Sequence, residues 1–421
     1  MPARHFPVRP DLTQLRHQAK DLLRALRRGD ADALADLATY HPEQVGSAAV
    51  RLADAQLVLA RSYGAPSWPR VVQACELVDA IWRDDLAAVE ALVTRHPNLV
   101  HEDARIRAGN WGPPMSYAAN LGRDRIVAML HRSGATDHLH ALGRATLQSE
   151  VATARMLHAM AGAPTPSADL LGGPAYTLSA AGTAFALEIG APVRGPRGER
   201  LAPVDVVLET DSRDPAAKHA ILEMYVARGL ELPDTPTMAL HRGRVDLLEA
   251  HLRRDPALLR RTFTHEEIYP PSLGCHDDVL ATQGTPLKGT TLLHLCADYD
   301  ELEIARWLLD RGADPNTPAD VDAEGFGGHT ALFGTVVSQP AFWMNHQRRA
   351  PQATFTELLL DRGADPTVRA SLRKQLHPGY GDYPPREYRD VTALSWGRRF
   401  EPKVFVSEPA LRAIEACGGH E

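Results

Sequence analysis

One short stretch constrains the fold of this chain more than any other. Residues 289–316 read GTTLLHLCADYDELEIARWLLDRGADPN, with two runs of apolar residues at helical spacing. Thr291 is placed to cap the first helix, and Gly312 ends the second where a left-handed backbone conformation is required. The polar residues from Asp298 to Asp300 predict a turn between them. The segment therefore predicts two short antiparallel helices.

The same pattern of helix, turn and helix recurs along the chain. A second copy is split between residues 327–337 and 355–366, and a third lies within 390–419. Looser copies lie within 113–191 and 237–259. A unit of this size cannot bury its own apolar face, so each unit must stack on its neighbours. We therefore predict an all-α fold in which repeated helix pairs share one continuous core.

Residues 289–316 resemble the ankyrin repeat, whose signature combines G-x-T-P-L-H with an L-L-x-x-G-A-D-x-N ending. The matching positions are Gly289, Thr291, Leu293, His294, Leu308, Leu309, Gly312, Ala313, Asp314 and Asn316. Leu292 stands where the signature has proline. The resemblance covers about residues 80–421, and the whole chain is similar to a group of long bacterial ankyrin-repeat proteins. It implies an ankyrin solenoid in which the connections between repeats form fingers beside a concave face.

The sequence predicts two regions. Residues 1–80 contain an apolar helix stripe and are expected to form a helical cap that seals the first repeat. Residues 81–421 are expected to form the ankyrin-repeat array. Two long insertions interrupt that array, one at 260–288 between repeats and one at 338–353 between the helices of a repeat. Long insertions in a compact array are candidates for function.

Composition excludes several classes of protein. The formal net charge is -7 and no long basic run is present, which argues against nucleic acid as a partner. No apolar run approaches the roughly 18 residues that span a bilayer, so no membrane contact is expected. The four cysteines are far apart and form no CxxC pair, which favours a reducing compartment. We expect a cytoplasmic protein.

The segment HEEIYPPSLGCHDD, residues 265–278, concentrates reactive side chains in a stretch that the sequence predicts to be non-helical. Its histidines and carboxylates are residue types that ligate zinc or transfer protons. The candidate catalytic residues are Glu266, His276 and Asp277, and the candidate metal ligands are His265, His276 and His294. However, HEEIY lacks the second histidine of the HExxH motif, so no metal and no cofactor are predicted.

A structural interpretation competes with this one. The resemblance implies that the histidine of the T-P-L-H motif hydrogen-bonds between neighbouring loops, which would account for His294 and His329. The carboxylates of 265–278 would then cap turns or face water.

Partner contact is a further use of the same regions. The candidate ligand- or partner-binding residues are His265, Tyr269, His294, His329, Trp343 and His346. The aromatic and arginine side chains of 338–353 suit an interface, or equally a plug packed on helix ends. The last finger, around 377–390, could also narrow the concave face into a pocket together with 260–288.

Two functions follow from these observations. The leading hypothesis is a monomeric ankyrin-repeat binding protein that contacts another protein through its fingers and concave face, without enzymatic activity. The alternative is an enzyme, or a protein that binds a small molecule or a metal at the finger-edge cluster of histidines and carboxylates. Fold alone does not decide between them.

Overall fold

The computed structural model describes residues 4–43, 50–106, 109–276, 284–374 and 385–421. The chain divides into two compact units, Met1–Thr165 and Pro166–Glu421. Asp277, one of the candidate catalytic residues, lies outside the described residues. The predicted boundary between a cap and an array near residue 80 lies inside the first unit and stays a prediction.

The described part of the first unit is built from short helices in antiparallel pairs. Their bounds are α1 Leu12–Arg27, α2 Ala31–Tyr40, α3 Leu52–Ser62, α4 Trp68–Trp82, α5 Leu86–Arg95, α6 Pro114–Ala119, α7 Asp124–Arg132, α8 His138–Leu147 and α9 Val151–Met160, with a 3-10 helix at Pro97–Val100. Helices α1 to α4 share an apolar core that includes Leu15, Leu26 and Leu59. Helix α6 packs on α8, and α5 packs on α7.

The second unit continues with the same kind of element. Its helices are α10 Gly172–Thr177, α11 Ala180–Glu188, α12 Val204–Glu209, α13 Pro215–Ala227, α14 Pro236–His241, α15 Val245–Arg254, α16 His265–Ile268, α17 Leu292–Tyr299, α18 Leu302–Asp310, α19 Ala331–Val336, α20 Gln339–His346, α21 Thr354–Asp361, α22 Ala393–Arg399 and α23 Glu408–Ala416. The 3-10 helices are Ala168–Leu171, Pro256–Leu259, Pro271–Leu273 and Lys403–Phe405, and the strands are β1 Ala370–Lys374 and β2 Arg386–Val391.

The helix pair of 289–316 forms as the sequence predicts. Thr291 is the N-cap of α17, and Asp300 takes a left-handed conformation at the turn (φ 58°). Gly312 follows α18 with φ +90°. The inner helices α14, α17, α19 and α22 pack in sequence, and α21 packs on α23. The predicted all-α repeat fold is therefore confirmed.

Backbone hydrogen bonds join the fingers of successive repeats. Phe263 donates its N–H to the Thr290 carbonyl (2.9 Å), and Asp320 donates to Gly289 (2.7 Å). Gly327 donates to Ser371 (2.7 Å). The last finger is a two-stranded antiparallel hairpin of β1 and β2, where the sequence predicted only a long connection. Strand pairing gives backbone groups of these two segments partners within the hairpin.

The prediction that 265–278 is non-helical is wrong for its first residues. His265–Ile268 forms α16, because Thr264 caps it and Glu267 bonds back to the Thr264 N–H in a capping box. Residues Pro271–Leu273 form a 3-10 turn. The second insertion also contains a helix, α20, which begins at the N-cap Ser338.

Replacing Gly312 by alanine should lower the free energy of unfolding by about 1 kcal/mol, because an L-residue is strained in the left-handed region. No other heavy atom lies within 4 Å of the added methyl position, so the change in the free energy of unfolding reflects backbone strain and not a steric clash. Gly172→Ala is the matched control, since Gly172 has helical dihedrals and equally open space. Urea unfolding of both variants checks this. Equal effects of the two changes would contradict it.

Candidate functional site

His294 is part of the helix cap of α17. Its Nδ1 accepts the Thr291 hydroxyl (2.9 Å) and lies 3.3 Å from the Thr291 N–H. Because Nδ1 accepts, the ring proton is on Nε2, which donates to the His329 carbonyl at 3.0 Å. The imidazole therefore links one finger to the next.

His329 repeats this arrangement one finger along the chain. Its Nε2 donates to the Pro286 carbonyl at 2.9 Å, and the His294 and His329 ring centroids are 5.6 Å apart. Burial lowers the pKa of His294 to about 3 and the pKa of His329 to about 4. Both rings are neutral at physiological pH. These are the bonds that the structural interpretation expects, and a binding role for either residue stays a prediction.

The other candidates of the finger-edge cluster do not converge. His265 is buried, with its ring centroid 5.2 Å from that of Tyr269. Glu266 is exposed, and hydrogen bonds from its own N–H and from Thr264 lower its pKa. The His276 ring is largely exposed, and its backbone N–H donates to Glu209 at 2.9 Å. Within the described ranges, no three His, Cys, Asp or Glu side chains are placed to hold a metal ion.

The first insertion folds over the inner helices. Thr237 of α14 donates its hydroxyl to the Glu267 carbonyl (2.6 Å), and His241 donates to Ile268 (3.0 Å). The Tyr299 hydroxyl donates to the Leu208 carbonyl at 2.9 Å, so Tyr269 supplies the proton of the 2.8 Å bond between the two tyrosines. All eight residues of α17 are buried. At this repeat, the chain itself covers the face that the sequence predicted for a partner.

A buried ionic network lies beside this covered face. Arg213 donates to the Asp298 carboxylate and carbonyl, each at 2.8 Å. Lys218 of α13 lies 2.9 Å from Glu301 Oε1, and His219 Nε2 lies 2.8 Å from the same oxygen. These bonds connect the region before α14 to the turn between α17 and α18. Since each charge has an opposite partner, the network serves to hold the turn in place.

Lys374 at the end of β1 is a different case. It is 3% exposed, and its ammonium group has no hydrogen-bond partner within the described part of the chain. Burial lowers its pKa to about 7, although the negative charge of Asp298 raises it. The hairpin therefore brings an unpaired amine close to the ionic network.

Sequence reasoning missed Arg213, Lys218, Asp298, Glu301 and Lys374. In the pairs that involve Asp298 and Glu301, the two partners are 82 to 85 residues apart along the chain. In the sequence they look like ordinary solvated charges at helix ends. The one indication in the sequence is the segment DYDE, residues 298–301, which places polar and aromatic residues at the turn between the two helices of a repeat.

The second insertion forms an ordered edge of the array. Phe342 stacks on Phe405 at 4.7 Å, and Asn345 donates to the Val404 carbonyl at 2.9 Å. The phenyl ring of Phe342 is therefore a plug, as one of the two interpretations expects. Trp343 is only half-buried and His346 is exposed. Their partner-binding role stays a prediction.

A cavity of about 160 Å³ lies between α20 and the neighbouring helix turns. Its walls include Ala297, Asp300, Thr335, Met344, Thr356 and Ser407. The Thr356 hydroxyl donates to Thr335, and Thr335 donates to the Leu332 carbonyl. Asp300 is the one charged residue in the lining. Burial and the neighbouring Glu301 charge raise its pKa to about 6.

Stacked antiparallel helix pairs with hydrogen-bonded fingers define a helical-repeat protein. The family model of the ankyrin repeat matches residues 288–320, which contain α17, α18 and the start of the next finger. This part of the chain is therefore an ankyrin repeat. Among solved structures, it aligns with the human ASB11 ankyrin repeat domain at 14% identity, over 82% of this chain and 98% of that chain. The TM-score of 0.22 is too low to support a common arrangement of the repeats.

Ankyrin repeats are in general modules for interaction between proteins. None of the helices in the described ranges has the length and apolar composition that crossing a membrane requires.

Lowering the pH from 6.5 to 5 should destabilise the protein through His294 and His329. Their unfolded-state pKa is about 6.5 and their folded values are lower, so the unfolded state binds more protons in this window. The free energy of unfolding should fall by about 2 kcal/mol for each histidine at pH 5. Urea unfolding at several pH values measures the slope. This slope should be smaller in His329→Gln than in the wild type, and it should be unchanged in the exposed control His346→Gln. Equal slopes in the two variants would contradict the attribution of the pH dependence to the buried histidines.

Lys374→Met should raise the free energy of unfolding by roughly 1–3 kcal/mol at pH 7, because it removes an amine that is buried without a partner. The folded pKa is below the unfolded value of 10.5, so the wild type should gain stability between about pH 7 and 10 relative to this variant. Lys288→Met, at an exposed position, should change neither quantity. Destabilisation by Lys374→Met would show that the amine has a favourable partner.

Proposed function

We propose that this protein binds a protein partner through the edge formed by α20 and the adjacent helix turns. The observation that carries the proposal is the contrast between two surfaces. The inner helix α17 is buried along its whole length, whereas α20 adds partly exposed aromatic and sulfur-containing surface beside a cavity.

The side chains of α20 have the chemistry of an interface. Trp343 and Met344 are half-buried, so they keep their position while leaving apolar surface accessible. His346 is exposed and stacks on Phe342, with ring centroids 5.7 Å apart. Aromatic residues held on a rigid element lose little side-chain entropy on binding, which is why they dominate interface energies.

The packing of α20 supports the same role. Its N-cap Ser338 accepts the Ala341 N–H at 3.1 Å, and Phe342 anchors its inner side. Helix α20 packs on α17 and on the Lys403–Phe405 turn. A surface on an anchored helix is preorganised for binding, whereas a surface on a loose loop is not.

The fingers remain a second contact region in this proposal. Their hydrogen-bonded row is rigid, and Val321 at the tip between α18 and α19 is 62% exposed. The concave face takes part only outside the covered stretch at α17.

Affinity capture with the full chain as bait, from lysate of its own source cells, tests the proposal. A protein recovered with the wild type should be reduced at least about tenfold with Trp343→Ala, because truncating a central aromatic anchor costs more than 1.4 kcal/mol. Val321→Ala is the control on the finger side and should retain the protein.

Circular dichroism and urea unfolding must show that Trp343→Ala is folded. Equal recovery by the wild type and Trp343→Ala would place the contact away from α20. Loss with Val321→Ala alone would assign the partner to the fingers.

A further inference from the structure

The cavity beside α20 contains one formal charge and no opposite charge. Asp300 contributes the carboxylate, and no Lys, Arg or His lines the space. Its carboxylate has no hydrogen-bond or ion-pair partner among the described residues. A cavity of about 290 Å³ at the finger edge differs in this respect, since Asp234 and Glu267 face Arg254 and Arg261 there.

The helix ends around the cavity do not supply the missing positive charge. The α17 and α19 C-termini approach it at Ala297 and Thr335, and the α18 and α21 N-termini approach it at Leu302 and Thr354. An inner helix thus places its negative end beside the positive end of an outer helix, and the partial charges offset each other. Ser338 already caps α20. The carboxylate of Asp300 remains the dominant charge.

The neighbouring charged groups do not neutralise Asp300 either. Glu301 carries the same sign and is held by Lys218 and His219. Arg213 attracts Asp300, but its own donors are used by Asp298 and by the carbonyls of Thr210 and Ser212. The carboxylate is thus partly buried and has no partner of opposite sign in the described part of the chain.

The volume limits what can enter. Pockets for drug-sized ligands have roughly 300–1,000 Å³, and this cavity has about 160 Å³. That space fits one long side chain. Met344, Leu302 and Phe355 provide apolar walls for a methylene chain, and threonine and serine residues also line the cavity.

We propose that this cavity receives the side chain of a lysine or arginine from the protein partner, with its cationic group at Asp300. Lys and Arg have the required form, an apolar stem that ends in a positive charge. This inference rests on the proposed function, since it names the chemistry of the partner at the α20 edge. A basic side chain there would complete the ion pair that the folded chain lacks.

A competing explanation for an aspartate at position 300 is its backbone conformation and not its charge. Asp300 and Asp84 both have a left-handed backbone at a helix turn, with φ of 58° and 55°, and aspartate tolerates that conformation. Asp84 is exposed, whereas Asp300 lies in the cavity wall. Asp300→Asn and Asp84→Asn therefore preserve the same backbone role and remove a charge from different surroundings.

Small cations test the cavity without the partner. The chain has eight methionines, so methyl-labelled methionine gives a simple NMR spectrum, and Met344 reports on the cavity. The probes are n-butylammonium and n-propylguanidinium, which imitate the two side chains, with n-butanol as the neutral control. Both cations should shift the Met344 methyl resonance saturably at millimolar concentration, and n-butanol should not.

Asp300→Asn should weaken cation binding by about tenfold or more, and Asp84→Asn should leave it unchanged. Putrescine should bind no more tightly than n-butylammonium, because a second ammonium finds no second carboxylate. The absence of a saturable shift, equal binding of n-butanol, or unchanged binding in Asp300→Asn would overturn the inference. Tighter binding of putrescine by tenfold would assign the cavity to a free diamine and overturn the assignment to a partner side chain.

These outcomes are separate from the capture experiment. Cation binding at Met344 with no loss of partner in Trp343→Ala would reject the α20 interface and keep the cavity chemistry. Partner loss in Trp343→Ala without cation binding would keep the interface and reject the basic side chain.

Discussion

The apolar surface shared by α17 and α19 is the interaction on which the second unit depends. Each helix pair has only six to nine residues per helix in this region, too few to be stable alone in water. Packing one pair on the next buries Leu293, Leu308 and Phe333 and supplies that stability. Every later feature, including the fingers and the insertions, is positioned by this stacking.

Polar groups within the stack are used for structure. His294 and His329 lie in the region where the sequence suggested metal or acid–base chemistry, yet their ring nitrogens hold a helix cap and two finger carbonyls. Burial keeps them neutral, which is the form that these bonds require. A neutral imidazole can also ligate a metal, but a nitrogen that donates to a carbonyl is not free to do so.

The two insertions have opposite effects on the available surface. The first covers the inner side of the array, where Tyr269 reaches Tyr299 and α16 packs on α14. The second extends the surface at the helix turns, because α20 is anchored by Phe342 while Trp343 and His346 remain accessible. The first insertion thus reduces the accessible surface at α17, and the second adds an edge with a small cavity that contains Asp300.

The sequence by itself determined the helix pairs of the strong repeats, their caps and the glycines that end them. These features depend on residues within one turn of each other, such as Thr291 with His294 and Gly312 after α18, so local physics suffices. It also located both insertions. It did not determine the hairpin of β1 and β2, the pairing of Arg213 with Asp298, or the isolation of Asp300. Helix α16 follows from the local capping box of Thr264 and Glu267, which the sequence analysis overlooked. The pairing of Arg213 with Asp298 depends on residues far apart in the chain that stacking brings together, and buried charges become costly only when water is removed around them. Only the tertiary structure decides which charges find partners and which, such as Lys374 and Asp300, do not.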